Sequence, residues 1–334
     1  MEIRLGTKLN GSCITSAGVG NPHMFVDGIS GSGKSFALRH YAEQAARQGA
    51  RVIILDYTRD WANYEAADRM DVVDDVTANP LAAVGGASAF TRAQRLTNIL
   101  LSVYRLGSRA TVALNGAARS YLEETAEMPD IEGLLRYIRG RPLTRGLDAV
   151  LEPLEVLAQF LTAGAEHINI DLGKPGLLVL DFKQVESVQM RKLLVELLLR
   201  VLWDKKAAEQ EETSPLVLLL DECQGLYWGE SGMAVRILRE GRKFGIGGWF
   251  ASQWVSDPVA RTALRQAATQ LHFRQDQNAA KRLARELAAM TPRGPEAYAR
   301  TLRRLAVGEF VTQDAGGAVH VGRVNSSEMK RSAI

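Results

Sequence analysis

Short runs of apolar residues recur along the chain, and each one ends at a polar or glycine-rich turn. The runs cover residues 23–26, 52–55, 177–180, 216–220 and 249–251. Parallel strands that are covered on both faces show such continuous runs instead of an alternation of apolar and polar positions. The pattern therefore predicts five buried parallel strands.

Helical periodicity fills the segments between these runs. Residues 34–48 stop before Gly49, a residue type that commonly follows the end of a helix, and residues 184–203 are apolar on most faces, as in a helix packed between layers. Asp257 and Pro258 are a typical helix start, for a helix through about residue 268. The alternation of strands and helices predicts an α/β fold with a mostly parallel sheet.

A different pattern occupies the stretch between Ala62 and Ala165, where strand signals are absent and helical patterns take over, over residues 92–106, 116–127, 131–138 and 146–161. We interpret residues 63–165 as an inserted all-helical subdomain, between the first part of the α/β core in residues 1–62 and its remainder in residues 166–334. Terminal β-hairpins are predicted around Asn10-Gly11 and, between residues 309–312 and 318–324, around Asp314-Ala315-Gly316-Gly317.

The first predicted core strand leads into a glycine-rich loop with the sequence Gly28-Ile29-Ser30-Gly31-Ser32-Gly33-Lys34-Ser35. It fits the P-loop pattern G-x-x-x-x-G-K-S/T, with a strand before it and a helix after it. Glycines let backbone N–H groups approach phosphate oxygens, and the helix N-terminus adds partial positive charge. Lys34 is expected to reach the β and γ phosphates, and Ser35 to bind Mg²⁺. The predicted ATP-binding residues are Gly28, Ser30, Gly31, Ser32, Gly33, Lys34, Ser35 and Phe36.

Acidic residues follow the apolar run at residues 216–220. Ligands of open α/β sheets bind at the carboxyl ends of the strands, where Asp221 and Glu222 lie. Asp221 suits a role in Mg²⁺ binding, and Glu222, pointing to the other side, suits the general base that orients water for attack on the γ-phosphate. The strand at residues 249–251 ends at Gln253. If this strand lies between the P-loop strand and the acidic strand, Gln253 points at the γ-phosphate as a sensor.

Basic residues cluster just before that strand, at Arg239, Arg242 and Lys243. We place them on the preceding helix. In a ring, an arginine there reaches the nucleotide of a neighbouring subunit, and such a finger accelerates hydrolysis by roughly 10³ to 10⁵-fold. Arg242 is the preferred candidate, and a solvated helix face is the alternative.

Composition adds little to this picture. With 41 basic and 38 acidic residues, the formal charge of +3 is too balanced to indicate a nucleic-acid binder by itself. The two cysteines, Cys13 and Cys223, are too few for a zinc site and are expected to be reduced thiols. No apolar run approaches the roughly 18 residues of a membrane-spanning helix. We therefore expect no membrane insertion and a cytoplasmic location.

The motifs taken together resemble the HerA/FtsK superfamily of ring ATPases, and the HerA branch most of all. The resemblance rests on the order and spacing of the P-loop, Asp56-Tyr57-Thr58-Arg59-Asp60-Trp61, Asp221-Glu222, Gly241-Arg242-Lys243-Phe244-Gly245 and Ala251-Ser252-Gln253. It covers the ATPase core at both ends of the chain and leaves about residues 63–165 uncovered.

The resemblance implies a RecA-like sheet, a hexameric ring with ATP between subunits, and movement of double-stranded DNA through the pore. It also implies that Lys34 and Ser35 bind phosphate and Mg²⁺, that Asp221 and Glu222 form the acidic pair, that Arg242 acts in trans, and that Gln253 is the sensor.

Two departures from the HerA pattern limit this comparison. About 22 residues precede the first core strand, so a complete N-terminal β-barrel, and the docking of a nuclease through it, is not expected. Asp60 also stands where the family more often has glutamate.

Three functions remain open on the sequence. The first is a DNA-translocating ATPase, and the second is a secretion or conjugation ATPase that acts on protein. The third is an ATP-regulated ring that scaffolds an effector enzyme, as in an anti-phage defence complex. A small-molecule kinase lacks support because no arginine-bearing lid is evident, and an ABC-type ATPase lacks support because no L-S-G-G-Q run is present.

Overall fold

The computed structural model describes residues 1–8, 10–16, 20–125, 128–161, 168–209, 214–289, 291, 294–314 and 316–325. Glu127 of a predicted helix, Ala315 of a predicted turn and residues 162–165 of the predicted insertion lie outside this part of the chain.

Within the described residues, eleven strands form one mixed sheet in the order β2-β1-β11-β10-β9-β3-β8-β7-β4-β6-β5. The strands are β1 Arg4–Lys8, β2 Cys13–Thr15, β3 Met24–Asp27, β4 Arg51–Asp56, β5 Asp68–Asp71, β6 Gly176–Asp181, β7 Leu216–Leu220, β8 Ile246–Ser252, β9 Thr269–His272, β10 Glu309–Gln313 and β11 Val319–Arg323. Strands β9 to β5 in that order are parallel, and the four at the other end pair antiparallel.

The five strands predicted from apolar runs are confirmed as β3, β4, β6, β7 and β8. Strand β4 explains their pattern. Its Ile53 and Leu55 pack into the core on one face of the sheet, and Val52 and Ile54 pack into the core on the other face. Because both faces are covered, every position of the strand is buried and the apolar run is continuous.

The helices occupy the connections between strands. They are α1 Lys34–Arg47, α2 Ala89–Leu101, α3 Ser108–Glu124, α4 Ile131–Arg139, α5 Arg145–Ala158, α6 Val188–Ala207, α7 Met233–Glu240, α8 Pro258–Leu264, α9 Gln277–Ala288 and α10 Pro295–Arg304. Helix α1 packs on one face of the sheet, and α2 to α8 contribute to the core on the other. A smaller third core lies between α9 and α10. No helix in the described part of the chain is long and apolar enough to cross a membrane.

Several local predictions are corrected by the structure. The stretch from Ala62 to Ala165 is not free of strands, because β5 lies at its start and pairs with β6. Strand β9 was not predicted. Helix α6 begins at Val188 and not at Gln184, since the Ser187 hydroxyl accepts the Met190 N–H as the N-cap. Both terminal hairpins are confirmed, as β1–β2 and β10–β11.

Candidate nucleotide-binding site

The P-loop connects the carboxyl end of β3 to the first turn of α1. Gly28 and Gly33 have φ angles of +149° and +104°. A Cβ atom on Gly28 would lie 2.7 Å from Phe273 Cβ, and one on Gly33 would lie 2.9 Å from Gly308 N. Neither position has room for a side chain, so glycine is required there for steric as well as conformational reasons.

Helix α1 begins without a side-chain cap, because its N-cap residue is Gly33. The first N–H groups of a helix have no intrahelical acceptor, and they form an anion site together with the partial positive charge of the helix. Ser30 and Gly31 are exposed at the loop, Ser32 is buried with its hydroxyl donating to Ile29 O at 2.7 Å, and Phe36 packs half-buried against the core.

Lys34 is 6% exposed, and its ammonium folds back onto the loop. Nζ donates to Gly28 O at 2.7 Å and to Ile29 O at 3.1 Å. Burial lowers the pKa of Lys34, while the charges of Asp221 and other nearby carboxylates act in the opposite direction. The ammonium is thus held at the loop by carbonyl groups, which a stronger anionic acceptor can replace.

Asp221 follows the last residue of β7 and faces the P-loop. Its Oδ2 accepts the Ser35 hydroxyl at 3.2 Å, and its Oδ1 accepts the Glu222 N–H at 2.9 Å. Burial raises the pKa of Asp221 to about 6, with the charges of Glu222 and Asp60 adding to the rise. A buried carboxyl group among other carboxylates is a place where a cation is favoured.

Glu222 lies next to Gln253, as expected because the two residues follow neighbouring strands, β7 and β8, that end at the same edge of the sheet. Strand β8 lies between β3 and β7, and Gln253 Nε2 donates to Glu222 Oε1 at 2.5 Å. Gln224 donates to the other carboxylate oxygen of Glu222, and Ser252 Oγ donates to Gln224 Oε1 at 2.6 Å. The predicted residues Lys34, Ser35, Asp221, Glu222 and Gln253 are thus brought to one edge of the sheet.

The backbone at Glu222 is left-handed, with φ 51° and ψ 43°. The Tyr57 hydroxyl donates to Glu222 O at 2.7 Å across 165 residues of sequence. Tyr57 belongs to the motif at residues 56–61, but the sequence pattern did not predict its contact with Glu222. Gly308, which packs on the P-loop, was also missed, because the approach of its backbone to the loop leaves no mark in the side-chain pattern.

Arg242 is not in this site. Helix α7 ends at Glu240, so Arg239 lies in its last turn and Arg242 and Lys243 lie in a short 3₁₀ turn at Gly241–Phe244, which corrects their placement on one helix. That turn precedes β8. Gly20 lies just before β3, and a Cβ atom placed on it would be 3.9 Å from Nη1 of Arg242. Seven residues of β8, about 20 Å of strand, separate this edge from the carboxyl edge. Arg242 is exposed and does not reach the P-loop of its own chain.

The arrangement of the site and the strand order together define an α/β fold of the RecA-like P-loop NTPase class. No protein-family profile matches the chain, and no curated protein matches it. Among solved structures, VirB4 of Thermoanaerobacter pseudethanolicus has a TM-score of 0.76 at 16% identity, covering 99% of this chain and 98% of that one.

The bacterial conjugative coupling protein TrwB, without its first 70 residues, has a TM-score of 0.64 at 13% identity, covering 97% and 93% of the two chains. TrwB has also been solved with ADP and Mg²⁺, with a TM-score of 0.63 at 15% identity over 97% and 94%. These likenesses confirm the fold expected from the HerA/FtsK resemblance.

Proposed function

We propose that this protein is a ring-forming ATPase that couples ATP hydrolysis to movement along double-stranded DNA. The contact that carries the ATPase assignment is the 3.2 Å hydrogen bond from Ser35 Oγ to Asp221 Oδ2, which joins the P-loop to the acidic end of β7. DNA as the substrate follows from the HerA/FtsK resemblance of the motifs, and the fold shared with a conjugative coupling protein is compatible with it.

ATP and Mg²⁺ are the proposed ligands. The N–H groups at the start of α1 and the Lys34 ammonium would hold the phosphates, with Lys34 exchanging the carbonyl oxygens of Gly28 and Ile29 for phosphate oxygens. Ser35 and Asp221 would hold Mg²⁺, since this ion commonly takes only one or two protein side chains and completes its shell with water and phosphate oxygens. When bound, the ion neutralises charge on the phosphates as the terminal phosphoryl group leaves.

Glu222 is the proposed base that orients the attacking water, and Gln253 is the proposed sensor. The 2.5 Å bond from Gln253 Nε2 uses an oxygen of the Glu222 carboxylate. A terminal phosphate offers Gln253 a second anionic acceptor, so loading of the site competes with this bond. Glu222 is thereby released to bind water when the nucleotide is in place.

The position of Arg242 is compatible with a ring. Arg242 lies at the amino edge, about the length of β8 away from its own P-loop, so any contact that it makes with a nucleotide would be with that of a neighbour in a heterologous, closed assembly. We propose a hexamer, as the HerA/FtsK resemblance implies, with Arg242 completing each adjacent site.

The decisive test of the shared site is subunit mixing. Lys34→Ala and Arg242→Ala should each abolish hydrolysis alone. Mixed in equal amounts, they should regain activity, because some interfaces then pair the intact Lys34 of one subunit with the intact Arg242 of the other. Arg239→Ala is the matched control and should keep its turnover. Failure of mixing to restore activity, with rings of mixed composition present, would remove Arg242 from the mechanism.

Glu222→Gln tests the base. Turnover should fall by about 10² to 10⁴-fold while ATP binding, measured by titration with a fluorescent analogue, is retained. Normal hydrolysis in this variant would show that Glu222 is not the general base.

Linear duplex DNA distinguishes the substrate classes. Hydrolysis should rise on addition of DNA, and the stimulation should fade as salt increases, because phosphate contacts release counterions. A secretion or conjugation ATPase that acts on protein is the second candidate, and the fold shared with a conjugative coupling protein is compatible with it. Hydrolysis that is indifferent to DNA would favour that candidate, or an ATP-regulated scaffold for a nuclease or another effector enzyme of a defence complex.

A further inference from the structure

Helices α9 and α10 form a hairpin between β9 and β10. Their core is separate from the two large cores of the sheet, and it consists of Ala280, Ala284, Leu287, Tyr298, Leu302, Leu305 and, from β10, Val311. Since β9 ends and β10 begins at the carboxyl edge, the helical hairpin projects from the edge that carries the P-loop.

The net positive charge of the protein is concentrated in the hairpin. Residues 274–304 contain eight basic and three acidic side chains, out of 41 basic and 38 acidic in the whole chain. Removing this segment leaves 33 basic (41 less 8) and 35 acidic (38 less 3) residues, so the rest of the chain is slightly acidic. The balanced overall charge therefore hides a strongly basic local surface.

Five of these cations are exposed, and we call them the basic face: Lys281, Arg285, Arg300, Arg303 and Arg304. Lys281 and Arg285 are spaced i, i+4 on α9, and the three arginines follow the same spacing rule on the outer side of α10. Among the described residues, none of the five forms an ion pair.

The acidic residues of the hairpin do little to neutralise this face. Glu286 is paired with Arg265 of the neighbouring segment at 2.6 Å. Asp276 caps α9, with Oδ1 accepting the N–H groups of Asn278 at 2.7 Å and Ala279 at 3.0 Å. Glu296 lies in the first turn of α10, four residues before Arg300, and among the described residues it forms no ion pair with that arginine.

Both ends of the hairpin are hydrogen-bonded to the P-loop. At its entry, Arg274 O accepts the Ile29 N–H at 2.8 Å, and Gln275 Nε2 donates to Asp27 Oδ1 at 2.7 Å. At its exit, Gly308 N donates to Ser32 O at 3.0 Å. A shift of the hairpin therefore acts directly on the loop that is proposed to hold the phosphates.

The two ends are also joined to each other, because Gln275 N donates to Leu302 O at 3.0 Å. Hydrogen bonds therefore connect the entry of the hairpin, its exit and the P-loop to one another.

We propose that the basic face of the α9–α10 hairpin binds the phosphate backbone of duplex DNA, and that this binding is communicated to the P-loop through the hairpin base. The inference rests on the proposed function and names the surface that performs it. Unpaired guanidinium groups on helices are suited to phosphate oxygens, and a row of them without acidic partners gives sequence-independent binding.

The test compares two variants with the same change in charge. The first is the triple variant Arg300→Ala, Arg303→Ala and Arg304→Ala. The control is Arg105→Ala, Arg136→Ala and Arg145→Ala, which removes three exposed arginines that form no ion pair among the described residues and lie on or between helices α2 to α5. Circular dichroism and thermal unfolding should show both variants folded.

Affinity for a fluorescently labelled linear duplex is measured by anisotropy between roughly 50 and 200 mM salt. The α10 variant should lose affinity, and the slope of log K against log salt should decrease by up to about three, roughly one unit for each phosphate contact removed. Its hydrolysis without DNA should match that of the wild type, and its DNA stimulation should be lost. The control should behave as the wild type.

Gln275→Leu tests the communication step separately. It keeps a side chain of similar size while removing the bond to Asp27, so DNA affinity should be retained and stimulation reduced. Full stimulation in this variant overturns the communication through Gln275.

Other outcomes overturn the inference in distinguishable ways. If the wild type hydrolyses ATP and binds DNA, and the α10 variant binds DNA equally well, the basic face is not the DNA-binding surface and the proposed function still stands. Loss of assembly in the α10 variant, seen by size-exclusion chromatography, makes the hairpin a subunit contact instead. A wild type that does not bind DNA overturns both proposals.

Discussion

Tyr57→Phe is expected to impair catalysis through the backbone of Glu222. The Tyr57 hydroxyl donates to Glu222 O at 2.7 Å, and burial raises the pKa of Tyr57, so the hydroxyl keeps the proton that it donates. This bond stabilises the fold by about 0.5–1.5 kcal/mol. The left-handed conformation of Glu222, with φ 51°, costs about 1–2 kcal/mol in a residue with a Cβ atom.

The two terms are of similar size and opposite sign. Without the hydroxyl, Glu222 gains by moving to a right-handed conformation, which carries its carboxylate away from Gln253 and the P-loop. A loss of about 1 kcal/mol lowers the population of the observed conformation by up to about fivefold, and kcat should fall in proportion. KM should change little, because the hydroxyl that is removed donates to Glu222 O and not to a P-loop residue that is proposed to bind phosphate.

Steady-state hydrolysis gives kcat and KM, and urea unfolding gives the free energy of unfolding. Tyr137→Phe is the matched control, since it removes a hydroxyl that donates to Glu124 at 2.6 Å on the exposed surface of α4, and it should leave kcat unchanged. A Tyr57→Phe variant that is less stable by about 1 kcal/mol but keeps its kcat would show that Tyr57 supports the fold and does not position Glu222.

Three further predictions concern stability and the P-loop. Burial lowers the pKa of His23 to about 4, so its neutral form is favoured in the folded state; the free energy of unfolding should lose up to about 3 kcal/mol as pH falls from 6.5 to 4, and His23→Asn should flatten that loss in urea titrations. Burial raises the pKa of Glu196 to about 7, so the contribution of its neutral form to stability is complete below pH 4.5 and is lost as pH rises to 7. The free energy of unfolding of Glu196→Gln minus that of the wild type should therefore be larger at pH 8 than at pH 4.5, and an equal difference at both pH values refutes this assignment. Gly33→Ala places a Cβ 2.9 Å from Gly308 N at a φ of +104° and should abolish binding of a fluorescent ATP analogue, whereas Gly31→Ala, with open space around its Cβ, should bind more tightly than Gly33→Ala.

The strands that the sequence predicted and those it missed differ in burial. Strand β7 is buried at every position, and its apolar run is unmistakable. Strand β5 is an edge strand with the sequence DRMD, and only its last residue is buried. An edge strand pairs on one side only and often carries charge, so neither an apolar run nor an alternation marks it. Strand β9 has four residues, too few for a period of two to stand out.

The candidate site was predictable where spacing along the chain is short. The P-loop is a contiguous motif, and Asp221 and Glu222 follow a buried strand directly. The contacts that tie the site together are long-range, such as the bond from Tyr57 to Glu222 and the packing of Gly308 on Gly33. They depend on which strands become neighbours in the sheet, and a single sequence contains no signal for a hydroxyl that meets a backbone carbonyl 165 residues away.

The segment from Glu222 to Arg242 connects the two edges of the sheet, and this has a consequence for the proposed ring. It begins at the carboxyl edge, continues as α7, and ends at the amino edge beside Gly20. The buried carboxylate of Glu196 on α6 accepts the N–H of Met233, at 3.0 and 3.2 Å, and so fixes the start of α7. The segment therefore joins Glu222 to Arg242 through α7, outside the strands of the sheet. If Glu222 and Arg242 act as proposed, the base of one site and the finger of the adjacent site belong to the same segment, and a change at one interface would reach the next through α7.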